Sequence, residues 1–237
     1  MRLYCLPYSG ASAMVYSRWR RSLSADIEVR PLELPGRGKR FSEPLATDMA
    51  LLARQLAVEI SHELDRPYAL FGHSLGGLLV HELAHALRER GCPPPRVLFA
   101  SGTAAPSLRD TERFAANKTD AQLIADLRDL NGTPEDILAN EELMRLTLPV
   151  LRADFALCGN YQYRPRAPLG CPIQVLAGHQ DSTTPEQLQA WRQETTAGFE
   201  LSLFDSGHFF IHDQASAVLA LIQARLQPLL HRHATAI

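Results

Sequence analysis

The stretch Y-A-L-F-G-H-S-L-G-G, residues 68–77 of 237, decides the fold. Its first four residues are apolar and typical of a buried strand, and a helical pattern begins directly after the serine. Ser74 would stand at the apex of a tight turn, where Gly72 and Gly76 carry no side chains that would separate strand from helix. A hydroxyl above a helix N-terminus lies where developing negative charge is favoured. Ser74 is therefore the candidate nucleophile, and an ordinary turn serine is the alternative.

Short apolar runs alternate with helical patterns along the rest of the chain. Helical stripes run from about Asp48 to Leu64 and directly after Ser74, and a last helix is expected to begin near Asp213 as its N-cap. The apolar runs are continuous, as in parallel sheets that are covered on both faces. We expect one α/β domain, an α/β-hydrolase fold with a mostly parallel, doubly wound sheet. The predicted strands are Leu3–Leu6, Ile27–Leu32, Tyr68–Phe71, Val97–Ser101, Ile173–Ala177 and Leu201–Phe204.

The stretch between the fourth and fifth predicted strands is too long for a simple crossover, which needs only about a dozen residues. Helical patterns cover Ala121–Leu130 and run from Glu141 to about Leu157, without a convincing strand. We expect a helical insertion over 104–171 and a core formed by 1–103 and 172–237. Insertions at the carboxyl ends of parallel strands lie over the ligand crevice, so this one is expected to act as a lid. A helical subdomain away from the site is the alternative.

A serine needs a base at neutral pH, and the base needs a carboxylate that fixes its tautomer. When a strand–turn–helix element carries the nucleophile, the chain order is serine, acid, histidine. His208 follows the last predicted strand in a loop, where doubly wound folds place their chemistry, and Gly207 is expected to let that loop turn close to the site. His208 is therefore the candidate base. His212 is the weaker alternative because it lies at the start of the last helix, and His231 and His233 lie in the tail.

The acid is expected at the tip of the preceding strand. The run Ile173–Ala177 continues into Gly-His-Gln-Asp, which places Asp181 at its carboxyl end. Asp205 is the alternative, but it is too close to His208 in sequence to lie on the far side of the ring. Asp154 lies in the insertion and is expected to be a helix-face or lid hydrogen-bond partner.

Acyl transfer also needs two N–H donors that face the tetrahedral oxygen. The residue after the nucleophile, Leu75, supplies the first. The second is expected from the loop of small residues after the first strand, P-Y-S-G-A-S-A at 7–13, where backbone can approach a substrate. Tyr8 is the preferred donor, and Ser9 is its alternative.

The chain also contains H-E-L-A-H at 81–85, a match to the zinc-protease motif. The two histidines lie off the apolar stripe of their helix, so they are expected to face solvent or the insertion. No clear third ligand follows in the sequence. We therefore interpret His81 and His85 as surface histidines, with a zinc protease as the minor alternative, and expect no metal and no cofactor.

Composition limits the function classes. The chain has 24 Lys and Arg, 26 Asp and Glu and a formal charge of −2, so it has no general field for nucleic acid or an anionic membrane. No apolar run reaches the roughly 18 residues of a membrane span, and Pro7 and Gly10 interrupt any signal-peptide core. The four cysteines form no C-x-x-C pair. These features favour a cytoplasmic protein with reduced thiols.

With these residues placed, the chain resembles the type II thioesterases, the stand-alone editing hydrolases of nonribosomal peptide and polyketide synthesis. The oxyanion loop here has Gly10-Ala11 where the family usually has Gly-Gly, and the serine turn ends in Gly77 where the family often has Ala. Neither difference affects the predicted triad. The matching blocks are L-P-Y-S-G-A-S-A at 6–13, E-L-P-G-R-G at 33–38, G-H-S-L-G-G at 72–77, N-G-T-P-E at 131–135, L-P-V-L-R-A-D at 148–154, Y-Q-Y at 161–163, G-H-Q-D at 178–181 and G-H-F-F at 207–210.

The resemblance implies that the substrates are acyl thioesters, carried on the phosphopantetheine arm of a carrier protein, and that aberrant or stalled intermediates are removed. Arg18–Arg21 and Arg37–Arg40 are candidates to meet an acidic carrier domain, although a merely solvated face is equally compatible. An acyl-CoA thioesterase or a small-molecule carboxylesterase is the nearest alternative, and a non-catalytic hydrolase-like binding protein is an alternative of another class. Leu123, Leu127, Leu151 and Phe155 of the insertion are expected to line an acyl pocket, with self-packing of the lid as the alternative.

Overall fold

A parallel sheet forms the centre of the molecule. The computed structural model describes residues 1–111, 114, 118–130, 132 and 135–230. In these residues six strands pair in the order β2-β1-β3-β4-β5-β6, all in parallel, which confirms the predicted doubly wound sheet and its six runs. The strands are β1 (Arg2–Leu6), β2 (Glu28–Pro31), β3 (Tyr68–His73), β4 (Leu98–Ser101), β5 (Ile173–Gly178) and β6 (Phe199–Phe204).

The strand order reverses between β1 and β3, because the chain leaves β1 for β2 on one side and returns to β3 on the other. Ligands in such sheets bind at the carboxyl ends of the strands, beside this switch point. The register aligns Leu6 of β1 with Gly72 of β3. The loop that starts at Pro7 and the turn at Ser74 therefore begin side by side.

Helices cover both faces of the sheet. Asp48, near which the first helical stripe was predicted to begin, caps that helix by accepting the Leu51 N–H at 2.9 Å. Tyr16 and Trp19 and the last helix pack on one face, and the first two helices pack on the other. The helices are α1 (Met49–Ser61), α2 (Leu75–Glu89), α3 (Asp120–Asp129), α4 (Glu135–Leu138), α5 (Glu141–Gly159), α6 (Pro185–Gln189), α7 (Phe210–Asp213) and α8 (Ala215–Leu230). None of the described helices has the length and apolar character to cross a membrane.

The predicted N-cap at Asp213 is wrong. Asp213 is the last residue of the short helix α7, and its carboxylate accepts the Ser206 hydroxyl at 2.7 Å. The next helix, α8, begins directly after Gln214, whose carbonyl accepts the Val218 N–H. The sequence pattern merged two helices because α7 supplies Phe210 and Ile211 to the same core as α8.

Helices α3, α4 and α5 lie between β4 and β5, within the stretch that was predicted as a helical insertion. A capping box of Thr119 and Gln122 starts α3, and Asn140 caps α5. The N-G-T-P-E block after α3 falls largely outside the described residues, which include Gly132 and Glu135 but not Asn131, Thr133 or Pro134. His231 and His233 are likewise not described. A small core holds the insertion together, formed by Leu123, Leu138, Met144, Leu148, Leu151 and Phe155.

Candidate active site

Ser74 occupies a strained turn between β3 and α2. Its φ of 56° is the one positive value found among the non-glycine residues that the structure describes. A Cβ on Gly72 would lie 1.9 Å from the Gly76 carbonyl oxygen, and a Cβ on Gly76 would lie 2.2 Å from that of Leu6. Only glycine fits at these two positions. The tight approach presents the serine hydroxyl at the carboxyl edge of the sheet, next to the end of β1.

His208 and Asp181 meet at the neighbouring strand ends. The distance between His208 Nδ1 and Asp181 Oδ2 is 2.8 Å, and both side chains are largely buried. The Ser182 N–H donates to Asp181 Oδ1 at 2.7 Å. Burial opposes ionisation of Asp181, but the hydrogen bond and charge of His208 outweigh burial and lower the pKa of the carboxyl. An ionised Asp181 holds the proton of the ring on Nδ1 and leaves Nε2 as the acceptor nitrogen.

Backbone packing fixes this pair. The acid loop after β5 and the histidine loop after β6 are joined by hydrogen bonds from the His179 N–H to the Phe204 carbonyl and from the Gln180 N–H to the Ser206 carbonyl, at 2.8 and 3.1 Å. A Cβ on Gly178 would lie 2.3 Å from the Gly207 carbonyl oxygen. A Cβ on Gly207 would meet no atom within 4 Å, so Gly207 is not required for the loop to approach the site. The glycine that permits the close contact between the two loops is Gly178.

One cavity joins the three predicted catalytic side chains. Ser74, Asp181 and His208 all line it, together with Tyr8 and Ser9 of the loop after β1. No direct hydrogen bond joins Ser74 to His208 in the described part of the chain. Such contacts are often long in an empty hydrolase and tighten when substrate binds.

The backbone donors beside Ser74 follow from the local structure. Leu75 is the first residue of α2, and the first intrahelical bonds are made by Gly77 and Leu78 to the Ser74 carbonyl, so the Leu75 N–H precedes them. In the loop after β1, the Gly10 N–H donates to the Asp154 carboxylate, and the Ala11 N–H donates to the Tyr8 carbonyl. Tyr8 and Ser9, the two donors considered from sequence, are the loop residues that line the cavity.

The insertion supplies the opposite wall of the cavity. Leu127, Leu151 and Phe155 line it, whereas Leu123, which was expected there too, packs inside the core of the insertion at 1% exposure. Leu123 lies one turn before Leu127 on α3, facing α5 rather than the cavity. Three of the four residues expected to line an acyl pocket therefore line this cavity, Leu151 and Phe155 while also packing in the core of the insertion, and Leu123 is corrected to a packing residue.

The cavity also contains polar groups that the apolar pattern did not reveal. Arg109 donates to Thr103 Oγ1 at 2.8 Å and lies over the Phe114 ring, and Asp126 pairs with Lys118 at 2.6 Å. All but Lys118 line the cavity. Thr103 and Arg109 could have been found from their position in the sequence, because they follow shortly after the carboxyl end of β4, where ligands bind in such sheets.

His73, directly before the nucleophile, packs under the histidine loop. Its ring centroid lies 5.1 Å from that of His208, and its Nδ1 is 2.9 Å from Ser101 Oγ. Burial lowers the pKa of His73 far below its ordinary value, so the ring stays neutral. Gly102, with φ of 58°, leaves space for this ring, since a Cβ there would lie 2.6 Å from His73 Cε1. His212, the weaker candidate base, stacks on Phe209 and bonds the Tyr8 hydroxyl at 3.0 Å.

The H-E-L-A-H motif lies elsewhere, and its predicted exposure is wrong. His81 and His85 are 0% and 1% exposed. His81 lies between Glu82 and Glu194, at 3.3 and 3.2 Å, and Tyr161 donates to Glu82 at 2.8 Å. Among the described residues, no three His, Cys, Asp or Glu side chains are arranged to hold a metal ion. The error has a clear source: apart from His81, Glu82 and His85, every residue of 75–87 is apolar or glycine, so α2 is hydrophobic all round and is buried on every face.

Fold and site together define a serine hydrolase of the α/β-hydrolase class. A family model described as "Thioesterase domain" matches residues 1–226, most of the chain. The chain therefore belongs to the thioesterase family and is an enzyme that hydrolyses thioesters.

Several of its relatives come from the biosynthesis of peptide and polyketide products. LgrE of Brevibacillus parabrevis is 41% identical over 95% of this chain and 87% of that protein. The RedJ thioesterase of the prodiginine pathway in Streptomyces coelicolor superimposes with a TM-score of 0.89 at 37% identity, covering 95% of this chain and 90% of RedJ. YbtT, a type II thioesterase from the yersiniabactin NRPS/PKS pathway, gives 0.86 at 31% identity, covering 97% and 93%. LgrE is named a linear gramicidin dehydrogenase, but that word describes LgrE alone, and the family model that matches this chain is that of thioesterases.

Proposed function

We propose that this enzyme hydrolyses acyl thioesters from the phosphopantetheine arms of carrier proteins, and so removes aberrant or stalled intermediates in nonribosomal peptide or polyketide synthesis. The observation that carries the proposal is the single cavity shared by the Ser74 turn and the His208–Asp181 pair, walled by the insertion. The relatives from the prodiginine and yersiniabactin pathways support the choice of carrier-bound substrates.

The chemistry follows from the assigned roles. His208 Nε2 takes the proton of the Ser74 hydroxyl as Oγ attacks the thioester carbonyl, and Asp181 stabilises the imidazolium. The N–H groups of Leu75 and Tyr8 receive the oxyanion. Collapse of the tetrahedral intermediate breaks the carbon–sulfur bond and leaves the acyl group on Ser74, and His208 gives its proton to the departing sulfur. Water then attacks the Ser74 ester with His208 again as base, and the acid and free enzyme result.

The insertion has the role of a lid in this proposal, over the predicted range 104–171. Leu127, Leu151 and Phe155 would contact the acyl chain, while Arg109 and Asp126 give the same cavity a polar section. A cavity of this mixed character suits acyl groups that carry oxygen or nitrogen substituents as well as a hydrocarbon part.

Fewer basic residues are available to contact a carrier domain than the sequence suggested. Of the basic residues considered for carrier contact, Arg37 is buried in the insertion contact and Arg40 is paired with Glu43 and Glu59. Arg18, Arg20, Arg21 and Lys39 are exposed and remain candidates to meet an acidic carrier domain. We propose that this encounter takes place in the cytoplasm, in keeping with four cysteines that are all free thiols.

The experiment is mass spectrometry of a panel of acylated carrier domains incubated with the enzyme, beside the matching acyl-CoA thioesters and p-nitrophenyl esters. We expect acyl groups to leave the carriers with a kcat/KM at least about tenfold above that for the matching acyl-CoA. Equal or faster turnover of acyl-CoA or of esters would favour an enzyme of free small molecules. A Ser74→Ala variant serves as the control, and a Ser74 that a fluorophosphonate probe does not label would indicate a non-catalytic binding protein.

A further inference from the structure

A buried ion pair joins the insertion to the core. Arg37 follows β2 and Asp154 lies in α5, 117 residues further along the chain. The two guanidinium nitrogens Nη1 and Nη2 donate to Oδ2 and Oδ1 of the carboxylate, each at 2.6 Å. Asp154 is 0% and Arg37 is 7% exposed. This paired geometry fixes the relative orientation of both side chains.

The same carboxylate holds the loop that carries Tyr8. The Gly10 N–H donates to Asp154 Oδ2 at 2.7 Å, and Arg37 Nη1 donates to the Ala11 carbonyl at 3.3 Å. The Ala11 N–H in turn donates to the Tyr8 carbonyl at 3.1 Å. The turn that follows Tyr8 is therefore fastened to α5 through one carboxylate and one guanidinium.

A purely structural tether is a weaker explanation. Leu151 and Phe155 already pack α5 within the apolar core of the insertion, and a Cβ on Gly10 would lie 3.4 Å from Leu151 Cδ1. A buried ion pair adds little stability beyond what apolar packing provides. Its location, with one bond to a backbone amide two residues after Tyr8, favours a positioning role.

We propose that Asp154, oriented by Arg37, is a positioning residue of the oxyanion hole. It fixes the loop after β1 so that the Tyr8 N–H faces the thioester oxygen, and it couples the docking of α5 to that alignment. This inference rests on the proposed function, because it assumes that the Tyr8 amide receives the oxyanion.

Two double variants separate alignment from charge. Arg37→Met with Asp154→Asn removes both charges and keeps an oxygen that can accept the Gly10 N–H. Arg37→Met with Asp154→Leu removes both charges and that acceptor, and keeps the branched shape and the number of side-chain heavy atoms. We expect kcat of the Leu variant to fall about 10- to 100-fold below that of the Asn variant, part of the loss known for a missing oxyanion donor. KM should differ less than threefold, and affinity for a boronic acid transition-state analogue should fall with kcat.

Equal kcat and equal analogue affinity in the two double variants would overturn the inference. Arg128→Gln, which breaks an exposed ion pair of the insertion with Glu135, is the control and should keep wild-type kcat. If a double variant does not fold, Asp154→Asn alone decides, because one amide oxygen must then serve the donors that two carboxylate oxygens served. We expect about tenfold lower kcat and analogue affinity in that variant, and unchanged values overturn the inference. A wild-type enzyme inactive on acyl-carriers would instead contradict the proposed function itself.

Discussion

Two groups of buried histidine and carboxylate side chains among the described residues, His208 with Asp181 and His81 with its two glutamates, differ in what surrounds the ring. His208 uses Nδ1 to bind Asp181 at 2.8 Å and lines the cavity that also holds Ser74. His81 uses both nitrogens, to bind Glu82 at 3.3 Å and Glu194 at 3.2 Å. We call the second group the His81 cluster, which comprises His81, Glu82, His85, Tyr161, Arg166 and Glu194.

The difference shows why a motif alone does not make a site. A general base needs a ring nitrogen that can receive a proton and a space where a substrate can reach it. His208 meets both needs, whereas the His81 side chain is buried and held between two acids. The cluster instead connects α2 to Tyr161 and Arg166, which follow α5 on the way back to β5. We therefore interpret the His81 cluster as a structural anchor for the end of the insertion.

The largest expected effect is on kcat, which should fall when His208 is replaced but not when His81 is replaced. His208→Ala should lower kcat by about 10⁴-fold or more, because it removes the proposed base, while an oxyanion hole alone retains only residual rate. His81→Ala should leave kcat of the folded fraction within about threefold of wild type. Initial rates on an acyl-carrier, normalised to folded protein by circular dichroism, measure both. Comparable losses in the two variants would contradict the distinction.

The matched test on the acids gives the next effect. Asp181→Asn should lower kcat by about 10³- to 10⁴-fold, because an amide cannot stabilise the imidazolium and favours the wrong tautomer of His208. Glu82→Gln makes the same change in the His81 cluster and should lower kcat less than threefold. Steady-state kinetics over pH 5–9 checks both variants. If Asp181→Asn retains more than about a tenth of wild-type kcat, the assigned acid is wrong.

The site could be predicted from sequence where its signals are local. The strand, the glycines and the helix around Ser74 lie within 68–89, and the steric need for Gly72 is a property of that short segment, whereas the need for Gly76 comes from Leu6 at the end of β1. The strand tips after β5 and β6 likewise placed Asp181 and His208, since a parallel sheet brings its carboxyl ends to one edge.

What the sequence did not reveal depends on pairs far apart in the chain. The Arg37–Asp154 contact spans 117 residues, and the bond from Tyr161 to Glu82 spans 79. Periodicity reports one face of a helix and not what covers the other, so His81 and His85 were wrongly expected at the surface. Leu123 was misplaced for a related reason, because α3 has two apolar neighbours, the cavity and α5.

The third effect is on stability. His81→Gln should lower the free energy of unfolding by about 3 kcal/mol, because it removes one charged partner from each of two buried carboxylates, Glu82 and Glu194. The corresponding fall in Tm is about 10 °C for a chain of this size. His208→Gln should change Tm by less than about 3 °C. Thermal melts at pH 6 measure both, and equal Tm shifts would show that His81 does not anchor the structure.

The pH dependence of the same cluster has a defined sign. Burial opposes the charge on His81, but hydrogen bonds to Glu194 and Glu82 outweigh burial and raise the pKa of the ring. Its contribution to stability is therefore fully present below about pH 6.5, the ordinary value, and is lost as the pH rises through the raised value. Hydrogen bonding and charge from His81 and Arg166 also outweigh burial at Glu82 and lower its pKa to about 2, so that contribution is lost only in acid.

Urea unfolding at pH 6 and pH 9 measures how the contribution of His81 to the free energy of unfolding changes with pH. The free energy lost by wild type between pH 6 and pH 9 should be larger than that lost by His81→Gln, which lacks the titrating ring. His85, whose pKa is lowered to about 3 by burial and by His81, stays neutral in the folded protein. Its protonation in the unfolded chain lowers stability at pH 6 in wild type and variant alike, so it cancels in the comparison. Parallel losses in wild type and variant would show that His81 is uncharged in the folded protein.

The smallest effect comes from two matched hydroxyl deletions. Tyr161→Phe removes the bond to Glu82 and should cost about 1–2 kcal/mol of stability with kcat within twofold, since the hydroxyl donates to a buried carboxylate. Tyr8→Phe removes the bond to His212 and should also change kcat less than threefold, because the proposed oxyanion donor of Tyr8 is its backbone N–H. If Tyr8→Phe instead slowed turnover by about two orders of magnitude, the size of effect known for a lost oxyanion donor, the phenol would take part in the reaction.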